Sequence, residues 1–469
     1  MVAAPPASHA ASWPKDAVVP TLHMNPLDWS FLATESDSTL THVGGLVVYR
    51  APDSGFGERL TEAYRGYATP AAPFHKKPNT GLLGRVVPHW DVVERIDAEQ
   101  HVRYHRTAGG RDALRELVSR LHGERMDRAK PMWEIHVIDG AGDGRVAAFM
   151  KVHHSLADGV SLVKLAGRTM ADRPQRSFLA PMWAQARRRA SGGKPAARGG
   201  GMLDAVRAQV TSPLALLAAI NRVYLPGFAE KALVKPFSAP DSILNGAITS
   251  ERGVVTCSVA LPRAQALAAR AGGTVNDVVL AVCAGALREY LGELGKLPGA
   301  PLVAAMPISF QPSDSDGTGG NALSFGLATL ATEIADPAAR YRAIVASTAA
   351  AKRHMSRLPR SAILPYTTLF MAPVTTAAVT GLGHRVPPMF NVVISNVPGP
   401  QADLFHHGAQ LEEWYPASIP MAGQALNITV LSYAGRLHFG FTACAAALPD
   451  PGRLAPAADA AMTALERAL

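Results

Sequence analysis

His153 and His154 stand side by side in the stretch KVHHSLADGVS, Lys151 to Ser161, just ahead of an Asp158-Gly159 pair. A histidine that ends an apolar run and is left half exposed by the following loop has an unperturbed pKa near neutrality, which suits general base work. If Arg145 to Val152 is a strand, successive side chains point to opposite faces, so the two rings cannot address one spot. From spacing alone, the first reading is a pair of core histidines satisfied by backbone carbonyls. The second is one base with a buried neighbour.

Other chemistries fit these residues less well. A zinc site needs converging ligands, but adjacent strand histidines diverge, no HExxH occurs, and His101-Val-Arg-Tyr-His105 lacks the glutamate, so no metal is expected. No serine has the two flanking glycines of G-x-S-x-G, and no Walker A or Rossmann glycine fingerprint is present. What remains is a base without an obvious protein nucleophile. That suits direct transfer of a group to a substrate which the base deprotonates.

The elements that must hold such a base are legible around it. Val146, Ala148, Met150, Val152 and His154 share one face of the expected strand, with Ala147, Phe149, Lys151 and His153 on the other; both faces are largely apolar, as in an interior strand. Asp158 is a natural N-cap for a helix Val160 to Met170, and Gly159 is expected to let backbones approach closely at the turn. Upstream, Thr41 to Tyr49 and Trp133 to Gly140 read as strands and Gly110 to Leu121 as a helix. Downstream, strands are expected at Gly253 to Leu261, Leu302 to Met306, Asn391 to Ser395, Leu426 to Ser432 and Leu437 to Thr442. Thr274 to Leu291 reads as a helix apolar on most sides, hence buried. Both halves are therefore mixed α and β.

A chain of 469 residues is too long for one ordinary core and predicts two domains. With 48% apolar and 18% charged residues it has the composition of a globular protein rather than a disordered one. Cys257, Cys283 and Cys444 lie far apart in apolar runs and read as packing residues of a reducing compartment. The first 20 residues lack a charged start and a continuous apolar core, so no export signal is expected. Ser361 to Gly383 carries no charge, yet Pro365, Pro373 and several threonines interrupt it, which favours a buried or channel-lining helix over a membrane span.

The net charge of +9 is local in origin. Arg173, Arg176, Arg187, Arg188, Arg189, Lys194 and Arg198 fall in a stretch ending at Leu203, within the Gly/Ala-rich composition of a connector. A second reading is an electrostatic hold on an anionic membrane surface. No nucleic-acid-binding motif accompanies the patch, so nucleic acid is not an expected partner. The connector divides the chain into an N-terminal domain, 1–172, a basic linker with crossover helices, 173–250, the latter at Met202 to Pro236, and a C-terminal domain, 251–469.

HHSLADG resembles the HHxxxDG signature of the CoA-dependent acyltransferase superfamily. Met24 to Tyr49, MNPLDWSFLATESDSTLTHVGGLVVY, is similar to the opening of the bacterial wax ester synthase/diacylglycerol acyltransferase family within it. Pro131-Met132-Trp133 resembles that family's PLW motif, with a volume-conserving Met for Leu. Asn276-Asp277 resembles its ND motif, and Ser395-Asn-Val-Pro-Gly-Pro400 its SNVPGP loop. The resemblance runs from about Met24 to about Leu448.

The resemblance implies two chloramphenicol-acetyltransferase-like domains of mixed α/β structure, with the active-site tunnel at their interface. It implies acyl-CoA as a substrate rather than a cofactor, and a long-chain alcohol or a diacylglycerol as acceptor. The HxxxDG spacing then picks His154 as the base that takes the hydroxyl proton, with no acyl-enzyme, and assigns His153 a structural or channel-shaping place beside the substrate. Asp158 would hold the loop by pairing with an arginine. Asn276 would donate to the oxyanion or simply begin its helix, with Asp277 favouring the dipole. Gly159, Ser395 and Asn396 would line the substrate, and Pro131 and Trp133 would pack. Such substrates place the protein in the cytoplasm, peripherally at the inner membrane face or on lipid inclusions. Two other readings share these residues: a relative using a carrier-protein thioester, and a non-catalytic droplet protein.

Overall fold

The computed structural model describes residues 21–81, 87–142, 144–175, 179–185, 232–309, 323–357, 366–367, 369–372, 376 and 387–469. Within them the strands are β1 (Thr21–His23), β2 (His42–Arg50), β3 (Lys76–Pro78), β4 (His89–Val92), β5 (Val102–Arg106), β6 (Trp133–Asp139), β7 (Arg145–His153), β8 (Arg252–Ala260), β9 (Val303–Ser309), β10 (Leu323–Thr329), β11 (Val392–Pro398), β12 (Phe405–His406), β13 (Ala409–Ala417), β14 (Leu426–Tyr433) and β15 (Arg436–Cys444). The helices are α1 (Pro26–Thr34), α2 (Phe56–Arg65), α3 (Ala98–His101), α4 (Gly110–Gly123), α5 (Gly159–Gly167), α6 (Leu261–Ala271), α7 (Val275–Glu293), α8 (Pro337–Ser356) and α9 (Leu454–Ala468). Each strand expected from the alternation of apolar residues is present, with ends shifted by a few residues at most. The helix after Asp158 is shorter than expected, stopping at Gly167 rather than Met170: the Arg168 amide turns back onto Lys164 and Leu165, and the Thr169 hydroxyl takes the Ala166 carbonyl.

Two six-stranded sheets carry the architecture. The first has the order β12-β13-β2-β7-β6-β5 and the second β10-β9-β11-β14-β15-β8; β1, β4 and β3 form a small third sheet. In the first sheet β7 is central, paired antiparallel with β2 through His42↔His153 and with β6 through Trp133↔Val152. In the second, β11 lies parallel to β14 along six residues but to β9 only at Val392↔Ala304 and Val393↔Ala305.

β12 and β13 correct the expected partition. They belong to the C-terminal stretch, yet β13 pairs antiparallel with β2, so residues 251–469 are not a self-contained half. The bond between the halves is thus a shared sheet as well as a packed face. On the other side of the second sheet, α6, α7 and α9 bury an apolar cluster that includes Leu280, Leu287, Ile428, Phe439 and Met462. Cys283 and Cys444 are buried and Cys257 half-buried, all three free.

Among the described residues no single helix is long and apolar enough to cross a membrane; α6 and α7 together pass by composition, bent by 103°, but α7 is buried in this core. The basic stretch from Arg187 to Arg198, nearly all of Met202 to Pro236, and most of Ser361 to Gly383 lie outside the described residues.

Candidate active site

The two histidines diverge as the strand alternation requires. His153 is the last residue of β7 and has no exposed surface. Its Nδ1 accepts from the Ser155 amide at 3.2 Å and lies 2.6 Å from Ser155 Oγ, which leaves the ring proton on Nε2. Nε2 meets Thr41 Oγ1 at 2.8 Å and stands 3.6 Å from Glu35 Oε1. Burial raises the Glu35 carboxyl, but His153 and Arg128 outweigh it and hold it at about 2. Arg128 Nη2 donates to Glu35 Oε2 at 2.7 Å, and Arg125 Nη2 adds a second contact at 3.3 Å. Burial keeps His153 itself below the ordinary histidine range, against the pull of Glu35. This is a closed network of buried polar groups. Within this network the His153 side chain has no exposed surface.

His154 lies just beyond the strand, half-buried, with its amide donating to the Thr41 carbonyl at 2.9 Å. Its ring stacks on Phe31, centroids 4.2 Å apart and planes 22° from parallel. Nδ1 is buried with no hydrogen-bond partner among the described residues. Burial pushes the imidazole down to about 4, opposed by the Asp158 carboxylate. At neutral pH the ring is therefore uncharged and free to accept a proton.

Asp158 caps α5: Oδ1 accepts the Ser161 amide at 2.8 Å and Oδ2 the Ser161 hydroxyl at 3.0 Å. That is the expected N-cap. No ion pair between Asp158 and an arginine occurs among the described residues, so the capping bonds take the place expected for that pair. Gly159 departs from expectation as well. A Cβ there would meet nothing within 4 Å, so the glycine faces open space rather than a neighbouring backbone.

The PMW stretch pins the strand end that carries the histidines. The Met132 carbonyl accepts the His153 amide at 2.9 Å, while Trp133 is fully buried, donates from Nε1 to the Phe74 carbonyl at 2.9 Å and stacks on Trp183. Pro131 is buried beside them. Leu156, Leu165 and Ala166 of the HHSLADG segment and α5 share one apolar cluster with Trp133 and with Val397 and Leu431 of the second sheet. The HHSLADG and SNVPGP stretches are thus brought together.

Ser395 and Asn396, both half-buried on β11, point to opposite faces. Ile394 packs with α7 in the C-terminal core, whereas Val397 packs with the HHSLADG segment, so Asn396 shares the first side and Ser395 the second. The glycine of this loop is required by close approach: a Cβ at Gly399 would lie 2.4 Å from the Ser432 carbonyl. Asn276 opens α7, half-buried, with Nδ2 3.9 Å from Met306 Sδ. Asp277 is buried and structural. It closes a capping box with Thr274 at 2.7 Å and accepts the Thr348 hydroxyl at 2.6 Å. No hydrogen bond or ring contact joins Asn276 to His154 among the described residues.

A cavity of about 640 Å³ lies where α4 meets β8, lined by Ser119, Arg120, Glu124, Arg252 and Asp450 among others. None of the site residues expected from sequence lines it. The residues that sequence reasoning missed are Phe31, Glu35 and Thr41, which orient both histidines. All three fall in the Met24 to Tyr49 stretch singled out above, and a buried-side glutamate just after a short capped helix was the available signal.

Comparison with known proteins identifies the family. The wax ester synthase/diacylglycerol acyltransferase catalytic domain matches residues 24–279, and the WS/DGAT C-terminal domain matches residues 319–466. A Mycobacterium tuberculosis protein named as a diacylglycerol O-acyltransferase is 39% identical over 455 residues, 95% of this chain and 99% of its own. An O-acyltransferase of Acinetobacter baylyi is 34% identical over 91% of this chain and 93% of its own. The solved wax ester synthase/diacylglycerol acyltransferase of Marinobacter aquaeolei VT8 superposes with a TM-score of 0.77 at 33% identity, covering 95% of this chain and 99% of that one. The first condensation domain of the CDA synthetase, 15% identical with a TM-score of 0.57 over 97% of both chains, shares the fold alone.

Proposed function

The chain belongs to the wax ester synthase/diacylglycerol acyltransferase family, and from that premise we propose that it moves an acyl group from acyl-CoA to the hydroxyl of a long-chain alcohol or a diacylglycerol. His154 is the base. Its Nε2 takes the hydroxyl proton as the oxygen attacks the thioester carbonyl; the tetrahedral oxyanion collapses, the C–S bond breaks, and the proton passes to the departing CoA thiolate. Ester and free CoA result, with acyl-CoA consumed as a substrate and no acyl-enzyme formed.

The observation that carries this reading is the state of His154: a half-buried, neutral imidazole with Nδ1 turned inward. The Asp158 carboxylate favours the imidazolium that forms on proton transfer. Asn276 supports the role of an oxyanion donor in that its amide has only a weak sulfur contact at 3.9 Å. The open space before Gly159 leaves room beside the turn that follows the base.

Purified protein given palmitoyl-CoA with hexadecanol or dioleoylglycerol in parallel is expected to release CoA and form ester with at least one acceptor. Acyl-CoA alone is expected to leave no acylated peptide in mass spectrometry; a stable one would overturn direct transfer. Such acceptors reside in bilayers or lipid inclusions, so the reading includes peripheral contact with a lipid surface through the Arg173 to Arg198 segment. Neutralising Arg187, Arg188 and Arg189 is then expected to weaken binding to anionic vesicles, and salt to weaken it in the unaltered protein.

A further inference from the structure

Among the described residues Phe31 is the one aromatic ring laid flat on His154, and it is tied in place more firmly than a nine-residue helix requires. Asn25 caps α1 by accepting the Asp28 amide at 2.7 Å, which fixes its start. Its other end is held from two sides. The Thr41 hydroxyl donates to the Phe31 carbonyl at 3.0 Å, and the same hydroxyl oxygen receives His153 Nε2 at 2.8 Å. Arg128 Nη2 donates both to the carbonyl of the next residue, Leu32, and to Glu35 just past the helix, each at 2.7 Å. The main chain of Thr41 closes the loop by accepting the His154 amide at 2.9 Å. One small network therefore fixes both the ring and the residue it covers.

We propose that Phe31 is the positioning residue of the base: stacked on the imidazole, it sets the ring's orientation and keeps water from one face. The inference rests on His154 being the base in the reading above. Two consequences follow. Removing the ring frees the His154 side chain to leave the attacking geometry, which lowers turnover. It also wets the imidazole, and since burial is what holds it at about 4, the pKa rises toward the ordinary value near 6.5. Losing the attraction between an imidazolium and the ring face acts in the opposite direction, but that contribution is the smaller of the two.

The groups that bear on His154's charge are Asp158 and His153 on its own segment. From α1, Asp28 is turned to Asn25 and Lys76, and burial raises its carboxyl to about 6. Glu35 is committed to His153, Arg125 and Arg128. β11 carries no titratable residue, α5 carries Lys164 at its far end, and from β2 His42 pairs across the ladder with His153. Among the described groups on α1, Asp28 is thus the one whose titration could imitate an acid limb.

The test is the pH dependence of kcat/KM and kcat, with palmitoyl-CoA and hexadecanol, for the unaltered protein, Phe31→Ala, Phe31→Tyr, Phe31→Leu, Asp28→Asn and His154→Ala. Phe31→Ala is expected to lower kcat about tenfold at pH 7.5 while the KM for acyl-CoA stays within about twofold. Its acid limb is expected to move up by about one to two pH units, and Phe31→Tyr to restore both. Phe31→Leu, which keeps an apolar cover without the flat ring, is expected to lower kcat with little movement of the limb. It carries the test if thermal unfolding shows that Phe31→Ala does not fold. An acid limb unmoved in Phe31→Ala, a limb that follows Asp28→Asn instead, or a loss confined to the KM for alcohol overturns the proposal. Absence of turnover in the unaltered protein, or full activity in His154→Ala, refutes the underlying reading instead.

Discussion

The two six-stranded sheets are built alike but differ in how much charge-bearing chemistry they bury, the second holding Asn427, Thr429, His438 and Thr442 beside its apolar residues. In the first, β7 and β6 enclose Lys151, His153, Glu134 and His136, none more than 7% exposed, with His42 and His122 packed alongside. In the second, the face under α7 buries Leu426, Ile428, Val430, Leu437, Phe439 and Phe441. A base needs an orientation fixed to a fraction of an ångström, and hydrogen bonds to buried polar groups supply direction that apolar contacts do not. The more polar sheet therefore holds the histidine proposed as the base. The apolar sheet gives a rigid wall and places β11 against the HHSLADG segment.

The comparison breaks most visibly at Lys151. It has no exposed surface, its Nζ donates to the Glu124 carbonyl at 2.8 Å, and Glu134 lies opposite it in the ladder. Lys151→Ala leaves Glu134 buried without that charge and is expected to cost about 3–5 kcal/mol in urea unfolding, whereas Lys151→Met with Glu134→Leu should cost less than the single change. Equal losses in both would mean that the polar layer is ordinary packing.

Next in size is the contrast within the histidine pair. His154→Ala should lower kcat/KM by at least about a hundredfold without lowering the thermal midpoint by more than a few degrees. His153→Ala should cost less activity and more stability, about 2–3 kcal/mol, because it leaves Thr41, Ser155 and Glu35 without their partner. Reversal of that order would exchange their roles.

Acid should separate the sheets. His122 is held at about 3 and His105 at about 4 by burial, both below the ordinary 6.5 of an unfolded chain. The unfolded state therefore takes up protons first: their contribution is complete above pH 6.5 and is lost as pH falls toward those values. Glu35 and Glu134, buried but held at about 2 with His153 and His136 as leading partners, add a loss that begins below the ordinary 4.5. The second sheet has one such group, His438 on β15, held at about 4 by burial, against several around the first, so hydrogen exchange at pH 5 should show β6 and β7 losing protection ahead of β14. Uniform loss across both sheets would contradict the contrast.

The smallest effect is expected at the buried carboxylate of α7, the helix packed on the second sheet. Asp277→Ala removes the capping box and the Thr348 bond and should cost about 1–2 kcal/mol, with the exchange of β7 unchanged.

The sequence by itself determined what is local. Period-two alternation marked β2, β6, β7, β8, β14 and β15, and Asp158 announced the start of α5, because a strand's faces and a helix cap depend on residues within a few positions of one another. The same alternation set His153 and His154 apart, while the choice of His154 as the base came from the resemblance of HHSLADG to HHxxxDG. What only the tertiary structure decided is what meets across long separations. β13 pairs with β2 at Gln410↔Arg50, a partnership that no local pattern encodes and that corrected the domain partition. Glu35 finds Arg128 and His153, and Phe31 finds His154, only after the chain has closed over more than ninety residues. Gly159 looked like a close-packed turn glycine and faces open space, since the room around a Cβ is set by neighbours distant in the chain.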